Sequence, residues 1–287
     1  MAALNQSAPA SISMGRELAE VAERLQSRTV EICSTDSGRG SGVIWRPDGL
    51  IVTNAHVATV SRPMVRFVNG RVFAGEVVDR DERHDVAFVQ IEPTAVSPVK
   101  VRDSGSLRTG EILLAIGNPA DATGACAMGI LAETPGTSDW LIRADIRLAP
   151  GYSGGPLCDT QGRIVGINSM VAGGFGVAIS AAAVQRLIDH PRPRLGVTLE
   201  AVIVPKQQPP SFGLMVIELE PGAAAHLSGV MVGDVILGVD GKRLNSAEHL
   251  SDAIAAASGG LRLELLRAGR HLQCEVVLTR ERAVGVA

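Results

Sequence analysis

"GYSGGPLCD" (151–159) sets one serine among three glycines, with Pro150 just before it and Pro156 inside it. The stretch is either a tight turn between two strands or a mount for Ser153 as a nucleophile. Glycine accepts the positive φ and the close backbone approach that such a mount requires, while the prolines stiffen both flanks. A hydroxyl is a weak nucleophile near neutral pH. It needs a positioned base, and the base is best held by a carboxylate. Working outward from Ser153, the chain must therefore offer a histidine and an acid at the ends of core strands.

It offers both. His56 follows the apolar run Leu50–Thr53 in "LIVTNAHVA", and Asp85 immediately precedes another apolar run in "RHDVAFVQI". Taken alone, a histidine after a strand is a solvated or structural group, an aspartate before one is a turn or cap residue, and "SGG" is a common turn. Their joint occurrence in the order His56, Asp85, Ser153, each at the edge of a core strand, favours a catalytic triad.

Around these residues the chain reads as mainly β. "GVIW", "LIVT", "MVRFV", "VAFVQI", "EILLAIG", "RIVGIN" and "GVAI" are short β-rich runs between turn residues, from Val30 to about Ile179. Residues 1–13 are small and polar and read as disordered. A helical apolar period at Leu18, Val21, Ala22 and Leu25 predicts an amphipathic helix within 14–32. "AAAVQRLIDH" (181–190) reads as a closing helix, and the proline-stiffened "HPRPR" (190–194) as a linker. The domains expected are an N-terminal segment at 1–29, a β domain at 30–189, the linker at 190–194 and a small α+β module at 195–287. In that module, Asn245 with Glu248 signals a capping box before "HLSDAIAAA", and "PKQQPPSF" (205–212) reads as an exposed loop.

With 287 residues and a hydrophobic fraction of 46%, there is material for two cores. A net charge of −3 and 3% aromatics speak against a nucleic-acid surface. Cys33, Cys126, Cys158 and Cys274 are widely spaced and form no metal or redox motif, so reduced thiols are expected. No apolar run reaches membrane-spanning length, and no signal peptide is visible, which points to the cytoplasm, or to the periplasm if the N-terminus has been trimmed. His84 beside Asp85 has no third metal ligand at suitable spacing, and "GGFGVAI" (173–179) lacks the βαβ context of a nucleotide site.

Together "GSGVIWRPDGLIVTNAHV", "HDVAFVQI", "LRTGEILLAIGNP", "PGYSGGPL" and "GRIVGIN" resemble the HtrA-like serine proteases over about residues 40–180. The resemblance implies a chymotrypsin-like pair of six-stranded β-barrels with the active site between them and no cofactor. It assigns Ser153 as nucleophile, His56 as general base and then acid, and Asp85 as orienting carboxylate. The backbone N–H groups of Gly151 and Ser153 become the oxyanion hole, and Leu148 and Val171 line an apolar specificity pocket, or are ordinary core. Segment 194–287 resembles a protease-associated PDZ domain. By that likeness the N–H groups of Leu195, Gly196 and Val197 hold a peptide carboxylate, and Leu250 and Ile254 face the groove or are core. The partners implied are unfolded proteins, C-terminal peptides and, by family, two further copies in a trimer. A holdase or peptide-binding scaffold with proteolysis switched off is the alternative.

The chain departs from the resemblance at Tyr152, where most relatives carry Asn and trypsin-type enzymes Asp. A tyrosine cannot pair with a cleaved N-terminal amine, and a buried phenol calls for a hydrogen-bond partner. It is expected to pack on neighbouring loops and bias the oxyanion loop. The N-terminal region also lacks the aromatics that commonly tie family trimers together.

Overall fold

The computed structural model describes residues 10–278, except 35–37, 95–96, 121, 135–139, 191–192, 205–210 and 258. The chain divides into two compact units at Ile188 and Asp189. Residues 1–9 of the expected disordered start, part of the 190–194 linker and positions 205–210 of the expected loop lie outside the described residues.

The first unit opens with helix α1 (Ala10–Gln26), followed by β1 (Thr29–Ser34), β2 (Gly38–Ile44), β3 (Leu50–Thr53), β4 (Met64–Phe67), β5 (Val72–Ala74), β6 (Glu76–Asp81) and β7 (Val86–Gln90). It continues through β8 (Ile112–Gly117), β9 (Ala125–Glu133), β10 (Leu141–Asp145), β11 (Pro156–Asp159), β12 (Ile164–Ala172), β13 (Phe175–Ser180) and α2 (Ala181–Asp189). The later strands close a six-stranded barrel in the order β10-β13-β12-β11-β8-β9. The earlier ones form a seven-stranded sheet in the order β5-β4-β1-β2-β3-β7-β6, where six strands were expected. Between β5 and β6 the chain passes tightly at Gly75, where a Cβ would come within 2.6 Å of Val89. The sheet curls until its ends meet, Gly75 N–H donating to Pro63 and Val77 N–H to Ser61.

The helix expected within 14–32 ends at Gln26, and Thr29–Ser34 pairs with Gly38–Val43 as a strand. β-branched Thr29, Val30 and Ile32 favour the extended backbone although their spacing continues the helical period. Helix α1 is part of the core: Val21, Ala22 and Leu25 are buried with Val43, Leu114, Ile116 and Cys158, which come from both sheets. All four cysteines are free thiols.

The second unit contains β14 (Val197–Val204), β15 (Ser211–Leu219), α3 (Ala224–Leu227), β16 (Val235–Val239), β17 (Lys242–Arg243), α4 (Ala247–Ala256), β18 (Gly260–Arg267) and β19 (Arg270–Val277). Its sheet runs β14-β15-β16-β18-β19, with β17 paired to β16. Ser211 and Phe212, expected in a loop, begin β15. The cap of α4 falls one residue later than the capping box predicts. Ser246, not Asn245, is the N-cap, and its hydroxyl accepts from His249 N–H. Asp234, buried just before β16, pairs at 2.7 Å with the part-exposed Arg267 at the end of β18.

Leu25→Ala is expected to lower the stability of the first unit by about 2–5 kcal/mol, the usual cost of truncating a core leucine. The exposed Glu20→Ala on the same helix is expected to change it by less than about 0.5 kcal/mol. Both tryptophans, Trp45 and Trp140, lie in the first unit, so denaturant unfolding followed by tryptophan fluorescence reads the difference.

Candidate active site

Strand β3 ends in the buried Thr53, and the turn that follows carries the buried Asn54 and the exposed His56. The turn before β7 carries Asp85 at φ +56°, a left-handed conformation that Asp tolerates better than most residues. That conformation turns its carboxylate back onto the histidine. His56 Nδ1 lies 2.9 Å from both Asp85 oxygens, and the His56 backbone N–H donates to Asp85 Oδ1 at 3.1 Å. The Asp85 carbonyl accepts from the Asn54 amide at 2.9 Å. With Nδ1 donating to the carboxylate, Nε2 is left as the imidazole's acceptor. Burial acts to raise the Asp85 carboxyl. Hydrogen bonds from His56 and from the Ser169 hydroxyl outweigh it and hold the group below the usual carboxylate range.

Ser153 stands on the turn between the end of β10 and β11. Tyr152 N–H donates to the Ala149 carbonyl at 3.1 Å, with Pro150 and Gly151 as the central residues and Gly151 at φ +103°. Proline then glycine with positive φ is the signature of a type II turn. A Cβ on Gly151 would meet Asn118 O and Pro119 Cα at 2.5 Å, so the position admits glycine only. Neither Gly151 nor Ser153 donates its backbone N–H to a protein acceptor among the described residues.

The structure thus brings Asp85 and His56 into contact, with Ser153 in the same unit. The Ser153 hydroxyl, however, donates to the Ser169 carbonyl at 2.8 Å and makes no hydrogen bond to His56. Ser169 is the functional residue that sequence reasoning missed. Its own hydroxyl donates to Asp85 Oδ2 at 2.6 Å, so one residue touches both the acid and the serine. The only hint in the sequence is a small polar residue directly after the apolar "RIVGIN".

Beside Ser153 lies an open cleft of about 320 Å³, walled by Leu148, Pro150, Met170, Val171 and the Ser169 backbone. Leu148 is half-buried and Val171 is 57% exposed, so Val171 is not core. A larger depression of about 440 Å³, near Asp240, Arg262 and Glu275, contains no nucleophile.

Tyr152, expected to pack on neighbouring loops, lies beside Leu148, Ala149 and Pro150 in the cleft and also reaches further in. Its ring is 7% exposed within the core of the closed barrel, among Leu131, Ile142, Ile146 and Leu157. Gly117 makes the space, since a Cβ there would come within 2.6 Å of Tyr152 Cα. Burial pushes the phenol up from its ordinary value, and the neighbouring Cys126 adds to this. Its hydroxyl has no protein hydrogen-bond partner among the described residues.

In the second unit, Gly196 has φ +71°, and a Cβ there would collide with Ala223. The Leu195 and Gly196 carbonyls accept from Ala225 and Glu220 N–H, which fixes the loop before β14. Val197 begins β14, and among the described residues this strand pairs with β15 alone, on one edge. Ile254 is half-buried on α4. Leu250, at 2% exposed, belongs to the core rather than to an open groove.

The family model for a trypsin-like peptidase domain matches residues 40–167, and that for a PDZ domain residues 173–266. The second match begins inside the closed barrel, whereas the structure divides the chain at Ile188. The chain is 33% identical over 276 residues to HhoA of Synechocystis, covering 84% of this chain and 70% of that protein. It is 30% identical over 269 residues to the periplasmic pH-dependent serine endoprotease DegQ of Escherichia coli, covering 84% and 59% respectively. The chain spans 54% of the length of a DegP-like relative from Chlamydia trachomatis. The crystal structure of a serine endoprotease from Yersinia pestis superposes with a TM-score of 0.57 at 26% identity, covering 92% of this chain and 98% of that one. The HtrA-type protease AlgW with a tripeptide superposes at 0.55, also at 26% identity, covering 93% and 99%. No helix among the described residues is long and apolar enough to cross a membrane.

Tyr152→Phe is expected to leave the unfolding midpoint unchanged, because the phenol oxygen holds no protein partner. Tyr152→Ala is expected to cost about 3–5 kcal/mol, the range for emptying a buried aromatic site. Equilibrium unfolding of the two variants beside the parent measures both.

Proposed function

This chain belongs to the HtrA-type serine proteases, and we propose that it is a serine endopeptidase acting on unfolded or misfolded proteins through an acyl-enzyme. Ser153 Oγ bonds to the scissile carbonyl carbon while its proton passes to His56 Nε2. The leaving amine then takes that proton as the C–N bond breaks. Water attacks the acyl ester, again giving its proton to Nε2, and Ser153 recovers a proton as the acid product departs. Asp85 orients the imidazole and stabilises its charged form. Negative charge on the carbonyl oxygen is met by the Gly151 and Ser153 N–H groups. The observation that carries this reading is the His56–Asp85 contact at 2.9 Å, together with those two unpaired N–H groups beside the serine.

Leu148 and Val171 make the cleft apolar, which suits small or medium aliphatic side chains. In the PDZ unit, an extended peptide C-terminus would add to the other edge of β14, its carboxylate at the N–H groups of Leu195, Gly196 and Val197. Ile254 stands on the helix of that proposed groove. Occupancy there raises the local concentration of substrate or reports to the protease. Assembly as a trimer belongs to the same proposal and is measurable by light scattering.

A holdase is the second reading. It is favoured by the Ser153 hydroxyl being bonded to Ser169 rather than to His56. Reduced, unfolded casein separates the two. The protease reading expects fragments and fluorophosphonate labelling that vanish in Ser153→Ala; suppressed aggregation without cleavage in either protein overturns it.

Asp85→Asn is expected to reduce kcat by about 10⁴-fold, because the imidazole loses its orienting acceptor. The lowered Asp85 carboxyl also fixes a sign for stability. Its contribution is complete above the unfolded value of about 3.9 and is lost as pH falls through the depressed folded value. The stability gap between the parent and Asp85→Asn is therefore expected to hold at neutral pH and to close in acid. Unfolding curves over that range measure it.

A further inference from the structure

Ser41, in β2, is fully buried and touches the proposed oxyanion loop from the opposite sheet. Its hydroxyl donates to the Gly151 carbonyl at 2.7 Å. The same oxygen accepts from Asn118 backbone N–H at 2.9 Å and from the Asn118 side-chain amide at 3.2 Å. One donor and two lone pairs are all a hydroxyl has, and all are used. The Ser41 backbone N–H donates to the Ser153 carbonyl at 2.7 Å, and its carbonyl accepts from the Thr53 hydroxyl at 2.6 Å. Asn118 is held in turn, its Oδ1 accepting from Gly124 N–H at 2.9 Å.

We propose that Ser41 is a positioning residue that locks the Gly151–Ser153 backbone in its oxyanion-binding conformation. Gly151 has no side chain to fix it, and the peptide that follows it can turn over unless something holds its carbonyl. The Ser41 hydroxyl and the Asn118 N–H hold that carbonyl, and the Ser41 N–H holds the carbonyl of Ser153. With peptide planes secured on both sides of the Tyr152–Ser153 unit, the N–H of Ser153 has one direction left to point. Glycines on either side of Ser41 permit the approach: a Cβ on Gly40 would lie 3.1 Å from the Ser153 carbonyl and 2.6 Å from Val57. Donors fixed before the charge develops act only in the transition state, so losing the lock lowers kcat and leaves substrate binding alone.

This inference rests on the protease reading, and the test separates the two. Full-length parent, Ser41→Ala, Asn118→Ala and Ser153→Ala are assayed with one chromogenic peptide and with the matching peptide aldehyde, whose hemiacetal oxygen occupies the oxyanion hole. Ser41→Ala is expected to lose about 10²-fold in kcat and a similar factor in aldehyde affinity, with KM within about twofold. Asn118→Ala, which removes one of the bonds on the Ser41 hydroxyl, is expected to show the same split to a smaller degree. It carries the test if Ser41→Ala does not fold. A folded variant that keeps the parent's kcat and aldehyde affinity, or that changes KM alone, overturns the role of Ser41. A parent no more active than Ser153→Ala overturns the protease reading and this inference with it.

Discussion

The half of this molecule that carries the candidate site depends on a backbone contact that glycine alone permits. Strand β2 runs so close to the 151–155 turn that a Cβ on Gly154 would sit against the Ser41 carbonyl and the Thr53 hydroxyl. Gly154, at φ +84°, gives its N–H to the Asn168 carbonyl, and Gly155 receives the Asn168 N–H. At this turn the seven-stranded sheet and the closed barrel therefore meet main chain to main chain. Such contact is stiffer than packing through rotatable side chains. It allows His56 and Asp85, carried by one sheet, to face a serine carried by the other.

The polar groups of the site are secured in a chain of contacts reaching back to backbone. Asp85 holds His56, Ser169 holds Asp85, and Ser169 is carried by β12, whose pairing with β13 is irregular at that point. Shifted pairing frees main-chain groups that a regular ladder would consume. Here the Ser169 carbonyl is available to Ser153. Asp85 stays ionised in a half-buried place because three donors compensate for lost water, two from His56 and one from Ser169.

Much of the fold was legible in the sequence where apolar runs were short and bounded by turn residues. β3, β7 and β8 are of that kind, and the triad positions stand at their edges or on the glycine turn. Strands β9 and β10 were not legible: "ACAMGILAE" mixes small residues with apolar ones that point outward, leaving no clean alternation. β1 was hidden because its apolar residues continue the period of α1. Burial decided other positions. Of the two readings open for Leu250 and Ile254, burial places Leu250 in the core with Ile254 packed against it, and the Tyr152 ring turns into the barrel through space left by Gly117. Ser41 and Ser169 leave almost no trace in the sequence. A serine's hydrogen bonds depend on three-dimensional neighbours and follow no period.

The bond from the Ser153 hydroxyl to the Ser169 carbonyl sets an energetic threshold. A net protein hydrogen bond is worth about 1 kcal/mol, which biases a two-state side chain by roughly fivefold. A rotation about one Cα–Cβ bond undoes it. Substrate contacts worth little more than thermal energy suffice to tip the balance, and they need not reshape the backbone. On the proposed protease reading, the resting position of that proton would act as a weak thermodynamic filter: a chain that makes few contacts with the cleft would meet a largely disengaged hydroxyl, and one that fills it would meet an aligned one.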